Sequence, residues 1–306
     1  MIEKISLLII TRNREKMLSR CLSSLLVQTR MPDEIIVVDN ASTDKTKKVI
    51  LTFQKKLPIR YVLEKQIGIP FARNKGIREA CGSILLMLDD DCQADKFWIE
   101  RMVLAHKKYP KAWVIQGRDY SLPRIKAYSL LAEYHRYLHL RNYAKKTLHL
   151  TSFFSKEFRS EIEVLTCGTK NFSVKTSYLQ KYKLSFDTNF YRGEDTDLGK
   201  QILQKNGIIM FCPTIKVYHW ERSSLTGFLE QRWHIGRTDA RIQNKWGKSP
   251  KINMAPAKKF LAFLFFCKIS NQWRNSPILA VLLFLDKLYY LNGYFYEKRV
   301  LSLQKL

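Results

Sequence analysis

The fold is decided by the stretch Leu85-Leu86-Met87-Leu88-Asp89-Asp90-Asp91, in which four apolar residues end abruptly in three carboxylates. A buried strand that ends this way delivers its charges to one edge of a sheet. Adjacent carboxylates raise each other's proton affinity unless a cation neutralises them. Hard oxygen ligands favour magnesium or manganese over zinc. The run predicts a divalent-metal site, and a solvated acidic turn that caps the next helix is the alternative.

Short apolar segments alternate with helical patterns through the first hundred residues, at a spacing typical of βαβ units. The predicted strands are Ile5–Ile10, Ile35–Val38, Ile59–Leu63 and Ile84–Leu88, and the first predicted helix is Lys16–Leu26. This pattern indicates an α/β protein with a doubly wound, mostly parallel sheet. In such sheets ligands bind at the carboxyl ends of the strands.

Polar residues follow the predicted strands and are therefore candidates for ligand binding. Asp39 is placed to accept from a base imide or a ribose hydroxyl. Arg73 is expected to donate to a phosphate or to the carboxylates after strand two, and a metal on Asp89 and Asp91 can bridge a diphosphate. No Gly-x-Gly-x-x-Gly follows strand one and no P-loop motif occurs in the sequence, so neither a dinucleotide cofactor nor a P-loop is indicated.

Six segments, in this order, resemble the motifs of family 2 glycosyltransferases with the GT-A fold. They are Ile9-Ile10-Thr11-Arg12-Asn13-Arg14, Val37-Val38-Asp39-Asn40-Ala41-Ser42-Thr43-Asp44, Ala72-Arg73-Asn74-Lys75-Gly76, Asp89-Asp90-Asp91, Gly168-Thr169-Lys170-Asn171-Phe172-Ser173 and Gly193-Glu194-Asp195-Thr196-Asp197-Leu198. The resemblance extends to about residue 240.

The resemblance implies an inverting transfer of sugar from a nucleotide-diphosphate donor, with a magnesium or manganese cofactor. It assigns nucleotide and donor binding to Thr11, Asn13, Arg14, Asp39, Asp44, Arg73, Asn74 and Asp90, sugar or acceptor contacts to Gly168, Asn171, Glu194 and Trp233, and metal binding to Asp89, Asp91 and His219. Asp195 is the implied catalytic base, selected by its motif position. Its neighbours Glu194 and Asp197 remain alternatives, because acidic residues also favour the start of a helix.

Two of these assignments have equally simple structural alternatives. His219 follows an apolar, strand-like run, where an imidazole can join carboxylates on manganese or simply pack in the core. Trp233 can stack on an acceptor sugar or be an ordinary packed aromatic. It closes Gln231-Arg232-Trp233, a contraction of the Gln-x-x-Arg-Trp element of processive relatives, and this departure puts processivity in doubt.

The length of 306 residues and the hydrophobic content of 46% suit one catalytic domain with a modest extension. We expect a catalytic domain over residues 1–245, with a nucleotide-binding half (1–120) and an acceptor half (121–245), and a helical, membrane-associating extension over residues 246–306. The six cysteines show no Cys-x-x-Cys pair, and the first apolar run is too short for a signal peptide. A cytoplasmic protein, peripheral on the inner face of the cell membrane, is therefore predicted.

The chain carries 53 Lys and Arg against 27 Asp and Glu, a net charge of +26 that is concentrated after residue 120. No zinc-finger or RRM-type signature accompanies this charge, so an anionic membrane is predicted as the partner rather than nucleic acid. The apolar segments Ala257–Phe266 and Pro277–Tyr296 support this choice. Asp286 and Lys287 interrupt the second one, which favours interfacial helices over a span, with helices packed on the catalytic domain as the alternative. Residues 124–150 form another amphipathic stretch.

The sequence thus predicts a metal-dependent, inverting glycosyltransferase that moves a sugar from a UDP-sugar to a cell-surface glycan or lipid-linked acceptor. A polyprenyl-phosphate glycosyltransferase is the nearest alternative. A nucleotide-sugar-binding protein without turnover and a nucleic-acid-binding protein belong to other classes. The intact acidic motifs argue against both.

Overall fold

The computed structural model describes residues 3–122, 131, 135, 160–221, 224–247 and 276–304. The chain divides into two compact units, the first formed by Met1–Tyr120 with Ser155–His219 and the second by Ser121–Phe154 with Trp220–Leu306. The boundary predicted near residue 245 falls inside the second unit. Apart from Leu131 and His135, the amphipathic segment predicted at 124–150 lies outside the described residues, as does Ala257–Phe266.

The described elements alternate between strand and helix over the first hundred residues, as predicted. They are β1 (Ile5–Thr11), α1 (Glu15–Leu25), β2 (Glu34–Asp39), α2 (Thr46–Phe53), β3 (Ile59–Leu63), α3 (Ile69–Glu79), β4 (Ile84–Leu88), β5 (Cys92–Ala94), α4 (Trp98–Lys108), β6 (Ala112–Leu122), β7 (Ile162–Val164), β8 (Asn171–Lys175), α5 (Thr176–Lys181), α6 (Glu194–Gln204), β9 (Ile208–Trp220), α7 (Leu225–Trp246) and α8 (Ser276–Leu303).

The first unit is built around a nine-stranded sheet in the order β3-β2-β1-β4-β8-β6-β9-β5, with β7 paired to β9. The strands β3, β2, β1 and β4 are parallel. The neighbours that follow are joined by antiparallel pairs, β4 with β8 and β8 with β6. The α/β class and the parallel, nucleotide-side half of the sheet are confirmed, and the antiparallel half is an addition that the sequence pattern does not specify.

The parallel strands are mostly apolar, as expected of strands that are buried on both faces of a sheet. All five residues of β4 are buried. On α1 the buried positions Leu18, Cys21, Leu22 and Leu25 recur at helical spacing, so one face of this amphipathic helix enters the core. The strand ends are thereby held rigidly, and this rigidity fixes the polar residues that follow them.

Register aligns the ends of these strands at one edge. Thr11 pairs with Asp39 across β1 and β2, and Leu88, the last residue of β4, pairs with Asn171 on β8. Farther along the sheet, Cys92 of β5 pairs with His219 of β9. The carboxylates that follow Leu88 are therefore delivered between the loop after β1 and the end of β9.

The second unit contains α7 and α8, which pack with their backbones in close contact. A Cβ atom added to Gly236 on α7 would lie 2.0 Å from the carbonyl oxygen of Tyr290, and one added to Gly293 would lie 2.0 Å from that of Trp233. Only glycine permits this approach. Within Pro277–Leu303 of α8, an 18-residue window has a mean hydropathy of 1.3, so this helix is, by length and composition alone, able to cross a membrane.

Candidate active site

Residues at and after the end of β1 form hydrogen bonds to the carboxylate run after β4, which is Asp89-Asp90-Asp91. Thr11 Oγ1 donates to Asp90 Oδ2 at 2.8 Å. Arg14 Nη1 donates to Asp90 Oδ1 at 2.9 Å and to Asp91 Oδ2 at 2.7 Å. Burial raises the pKa of Asp90 to about 7, although the charge of Arg14 opposes the rise. Asp90 therefore anchors the two loops to each other, and it brings together three residues predicted to bind the donor.

Asp91 and His219 converge from adjacent strand ends, with His219 Nε2 3.5 Å from Asp91 Oδ1. Burial alone would raise the pKa of Asp91. The hydrogen bond and charge of His219, together with Arg14, outweigh burial and hold this pKa well below its usual range. Asp91 is thus an ionised carboxylate with an imidazole beside it, which suits the two predicted metal ligands.

Arg73 joins the carboxylate run to the first turn of α6. It is 5% exposed. Its Nη2 donates to Asp89 Oδ1 at 3.0 Å, its Nη1 bonds to Glu194 Oε1, and its guanidinium lies 5.4 Å from the centre of the Phe186 ring. From the sequence, Arg73 was expected to donate either to a phosphate or to the carboxylates after strand two. The structure shows Asp89 and Glu194 as its carboxylate partners, because α3 brings Arg73 towards α6.

Glu194 is itself a buried carboxylate. Burial raises its pKa to about 7, Arg73 opposes this rise, and the charge of Asp195 adds to it. Its Oε2 atom is buried and makes no hydrogen bond. Glu194 was predicted to contact sugar, whereas its visible role is to hold Arg73.

Asp39 and Asn13 organise the loops after β2 and β1. Asp39 Oδ1 accepts from the Ser42 amide at 3.0 Å, and Asp39 Oδ2 accepts from the Tyr61 hydroxyl at 3.1 Å. The Asn13 amide donates to Ser42 Oγ at 3.0 Å, and Asn13 Oδ1 accepts from the Thr43 amide at 2.7 Å. Asn13 has a φ of 51°, a left-handed conformation that asparagine tolerates. The loops thus form one preorganised rim.

Asp44 and Asn74 serve the same rim through backbone groups. Asp44 accepts from the amides of Glu15 at 3.2 Å and Thr46 at 2.9 Å. Asn74 exchanges two hydrogen bonds with the backbone of Phe186, at 2.7 and 2.9 Å. Both residues were predicted to bind the donor. The structure places them as supports, one for the loops and one for the segment before α6.

Three carboxylates occupy the first turn of α6, and their exposure differs. Glu194 and Asp197 are buried, whereas Asp195 is only half-buried. Asp195 Oδ1 accepts from the Thr196 amide at 2.7 Å. The space above Asp195 is bounded by Gly168, where an added Cβ would lie 3.6 Å from Asp195 Oδ2. Asp195 is therefore the least buried of the three carboxylates, and its role as the base stays a prediction.

Asn171 makes its hydrogen bonds inside the core of the first unit. Asn171 is fully buried: it donates to the carbonyls of Arg118 at 3.0 Å and Ile215 at 3.1 Å, and it accepts from Trp98 Nε1 at 2.8 Å. The side-chain amide of Asn171 was predicted to contact a sugar. In the structure its hydrogen bonds hold the core together instead. Register explains this, because Asn171 opens β8 between two strands.

Trp233 belongs to the second unit, on α7. Its Nε1 donates to Asn292 Oδ1 at 3.1 Å. With Glu230, Leu288, Tyr289 and Asn292 it lines an open pocket of about 500 Å³, to which both α7 and α8 contribute residues. These contacts agree with the alternative that Trp233 is an ordinary packed aromatic side chain.

Lys170 is a cation that the sequence analysis did not select. Its Nζ lies 3.1 Å from Asp119 Oδ2. Burial raises the pKa of Asp89, and the charges of Arg73 and Lys170 oppose the rise. Lys170 thus adds positive charge beside the carboxylate run. Its position directly before Asn171 in a motif segment was the available signal.

The donor set suits a hard divalent cation. Among the residues that the structure describes, no three His, Cys, Asp or Glu side chains converge as a complete metal cage. Magnesium is commonly held by one or two carboxylates together with substrate phosphates, so a complete protein cage is not required. Asp91 supplies an ionised oxygen and His219 an imidazole nitrogen. Asp89 lies two residues before Asp91 in the chain. The residues present therefore fit Mg²⁺ or Mn²⁺ shared with a diphosphate.

Comparison with known proteins gives one family. The model for "Glycosyl transferase family 2" matches residues 6–182. A validoxylamine A glucosyltransferase from Streptomyces hygroscopicus subsp. limoneus is 30% identical in an alignment 223 residues long that covers 67% of this chain and 49% of the relative. Glycosyltransferase GlyA from Streptococcus pneumoniae is 24% identical in an alignment 248 residues long that covers 78% of this chain and 34% of the relative. The chain thus spans about half of the first relative and a third of the second.

Solved structures share the fold at lower identity. S. aureus TarS 1–349 in complex with UDP-GlcNAc aligns with a TM-score of 0.55 at 16% identity, covering 97% of this chain and 92% of that one. Mannosyltransferase PcManGT from Pyrobaculum calidifontis, in complex with GDP-Man and Mn²⁺, aligns with a TM-score of 0.62 at 16% identity, covering 98% and 87%. These likenesses confirm the predicted GT-A architecture.

Proposed function

Because the chain belongs to glycosyl transferase family 2, we propose that it transfers a sugar, with inversion, from a UDP-sugar to a hydroxyl of a cell-surface glycan or lipid-linked acceptor. One observation carries the proposal. Arg73 ties the carboxylate run after β4 to the turn of α6 in which Asp195 alone among three acids is not buried. A donor site and a base site are thereby joined by one buried side chain.

The donor half of the proposal rests on the rim built from the ends of β1, β2 and β4. Asp39 and Asn13 hold the loops in place, so the nucleotide meets backbone and side-chain groups that are already ordered. Arg14 and Lys170 bring positive charge to the carboxylate run. Similar folds hold UDP-GlcNAc and GDP-Man in their solved complexes, which supports a nucleotide sugar as the donor.

The chemical half rests on Asp195. Displacement at the anomeric carbon requires a base that removes the acceptor hydroxyl's proton as the new bond forms. Asp195 is ordered by the Thr196 amide and has open space above it, because Gly168 lacks a side chain. Arg73 holds the neighbouring Glu194 and so fixes the turn that carries the base. Asp89, Asp91 and His219 would hold Mg²⁺ or Mn²⁺, which would stabilise the charge on the departing diphosphate.

Nucleotide binding provides the first test of this function. Thermal unfolding of the full chain is measured with UDP, GDP, ADP and their sugar derivatives, each with and without Mn²⁺. We expect a rise in Tm with uridine nucleotides that is larger with Mn²⁺, since a ligand that binds only the native state stabilises it. If none of the nucleotides raises the Tm under either condition, the proposed donor class is contradicted.

A further inference from the structure

The helices α7 and α8 form one inseparable pair. Their backbones touch at Gly236 and Gly293, where neither helix has room for a methyl group. Polar side chains close the same contact along its length, with Tyr290 donating to Asp239 and Tyr294 donating to Gln243, each at 2.7 Å. Whatever environment receives α8 must therefore accept α7 as well.

Both acidic residues of α8 point towards α7. Asp286 is 4% exposed and pairs with Arg232 of α7 and with His135, and Glu297 is fully buried and pairs with Arg237 and Arg241. In the sequence these carboxylates interrupt an apolar segment. In the structure they are neutralised inside the helix pair, so the opposite side of α8 carries no negative charge.

The opposite side of α8 is apolar and exposed. Val281, Leu288 and Phe295 are seven residues apart and so lie along one line of the helix, with Phe284 one turn after Val281. Their exposed fractions are 60%, 51%, 64% and 69%, in the order Val281, Leu288, Phe295, Phe284. We call these four residues the apolar line. Large apolar side chains gathered at this level of exposure mark an interaction site.

The charged residues that α8 itself places beside the apolar line are all basic, whereas on α7 the exposed Glu230 lines a pocket together with Leu288. Arg299 is exposed one turn after Phe295, on the same side of the helix, and Lys287 and Lys298 are exposed at its border. An apolar strip flanked by exposed lysine and arginine complements a lipid surface with anionic headgroups.

We infer that α8 lies in the plane of an anionic membrane, with the apolar line in the lipid and α7 attached on its other side. A span is disfavoured because α7 would have to follow, and beyond the arginines paired with α8 it also carries Glu230, Asp239 and Lys245. The proposal concerns attachment alone, so it stands or fails independently of the transfer reaction.

Vesicle flotation with the full chain tests whether the apolar line contributes to membrane binding. The vesicles contain phosphatidylcholine either alone or with 30% phosphatidylglycerol. The double variant Phe284→Asp/Leu288→Asp should lose binding to anionic vesicles at least tenfold. The matched control is Leu51→Asp/Leu104→Asp, which alters two similarly exposed leucines of the first unit and should bind like wild type. Circular dichroism checks that each variant keeps its helix content.

The contribution of the basic residues is tested with a charge-reversal variant of α8 and a matched control in the first unit. Lys298→Glu/Arg299→Glu should weaken binding to anionic vesicles and reduce its salt dependence, whereas the equally charged change Lys55→Glu/Lys56→Glu in the first unit should do neither. Three results would overturn the inference: equal binding of the aspartate variant and its control, concentration-dependent dimers lost only in the aspartate variant without lipid, or labelling of Leu303→Cys from the vesicle interior, which would indicate a span.

Discussion

Replacing Arg73 by methionine should destabilise the protein and should do so more at high pH than at low pH. The substitution keeps an unbranched side chain but leaves Asp89 and Glu194 without their shared cation. Removing one partner of a buried ion pair costs about 3–5 kcal/mol. Arg73 is 5% exposed, so water offers little compensation.

The pH dependence follows from Glu194, whose pKa is raised by burial from 4.5 to about 7. The native state then binds a proton more readily than the unfolded chain, so the wild type loses stability from pH 4.5 up to about pH 7 and levels off above it. Without Arg73, whose charge opposes the rise, the pKa of Glu194 moves above 7, so the variant continues to lose stability above pH 7. The free energy of unfolding of the variant lies below that of the wild type, and this difference should be larger at pH 8 than at pH 6 by about 1.4 kcal/mol, which corresponds to one pKa unit.

Urea unfolding of wild type and variant between pH 5.5 and 8.5 measures this difference. Arg60→Met is the matched control, because Arg60 also pairs with two carboxylates, Glu34 and Glu79, but its side chain is 40% exposed. An exposed pair should contribute only about 0–1 kcal/mol. Adding Glu194→Gln to the Arg73 variant should flatten the pH dependence. Equal deficits for the two arginine variants, or a deficit independent of pH, would refute the reasoning.

Three further predictions concern the metal, the core and the helix pair. Asp91→Asn should abolish the Mn²⁺-dependent part of nucleoside-diphosphate stabilisation while isothermal titration still detects metal-free binding; unchanged metal dependence would remove Asp91 from the ligand set. Burial lowers the pKa of His106 from 6.5 to about 3, so the unfolded state takes up a proton first as the pH falls; stability should drop by about 1.4 kcal/mol per pH unit below pH 6.5, and His106→Asn should remove that slope in acid titrations followed by fluorescence. Gly236→Ala should lower the Tm strongly because its methyl group would meet the Tyr290 carbonyl, whereas Gly168→Ala, with 3.6 Å to its nearest neighbour, should fold normally; similar Tm values would argue against the close helix contact.

The local elements of the first unit were predictable because their signals are local. Strands three and four match the predicted Ile59–Leu63 and Ile84–Leu88, and α1 begins and ends one residue earlier than predicted. Continuous apolar runs and helical spacing are enough for this. The antiparallel pairing of β8 with β4 depends on contacts about ninety residues apart in the chain, and no local pattern encodes it.

The motif segments singled out Asp89, Asp91 and Asp195, whose roles stay predictions. The bridge from Arg73 to Glu194 could not be predicted from a local pattern, because it joins residues 121 positions apart. Burial also separates residues that look alike in sequence: Asp195 is half-exposed while Asp197, two positions later, is buried. In the same way Asp286 reads as an interruption of an apolar helix until its partner Arg232 is seen.

We propose that Asp195 acts as the base of a sugar transfer from a nucleotide donor. The most direct measurement is the rate of nucleoside-diphosphate release from a panel of nucleotide sugars in the presence of Mn²⁺ and a total extract of cell-envelope glycans and lipids. Wild type and Asp195→Asn are compared, and donor affinity is measured separately by titration. Loss of a positioned base should slow release about a hundredfold to ten-thousandfold while leaving donor affinity within a fewfold of wild type. Release by Asp195→Asn within a fewfold of the wild-type rate would contradict the account.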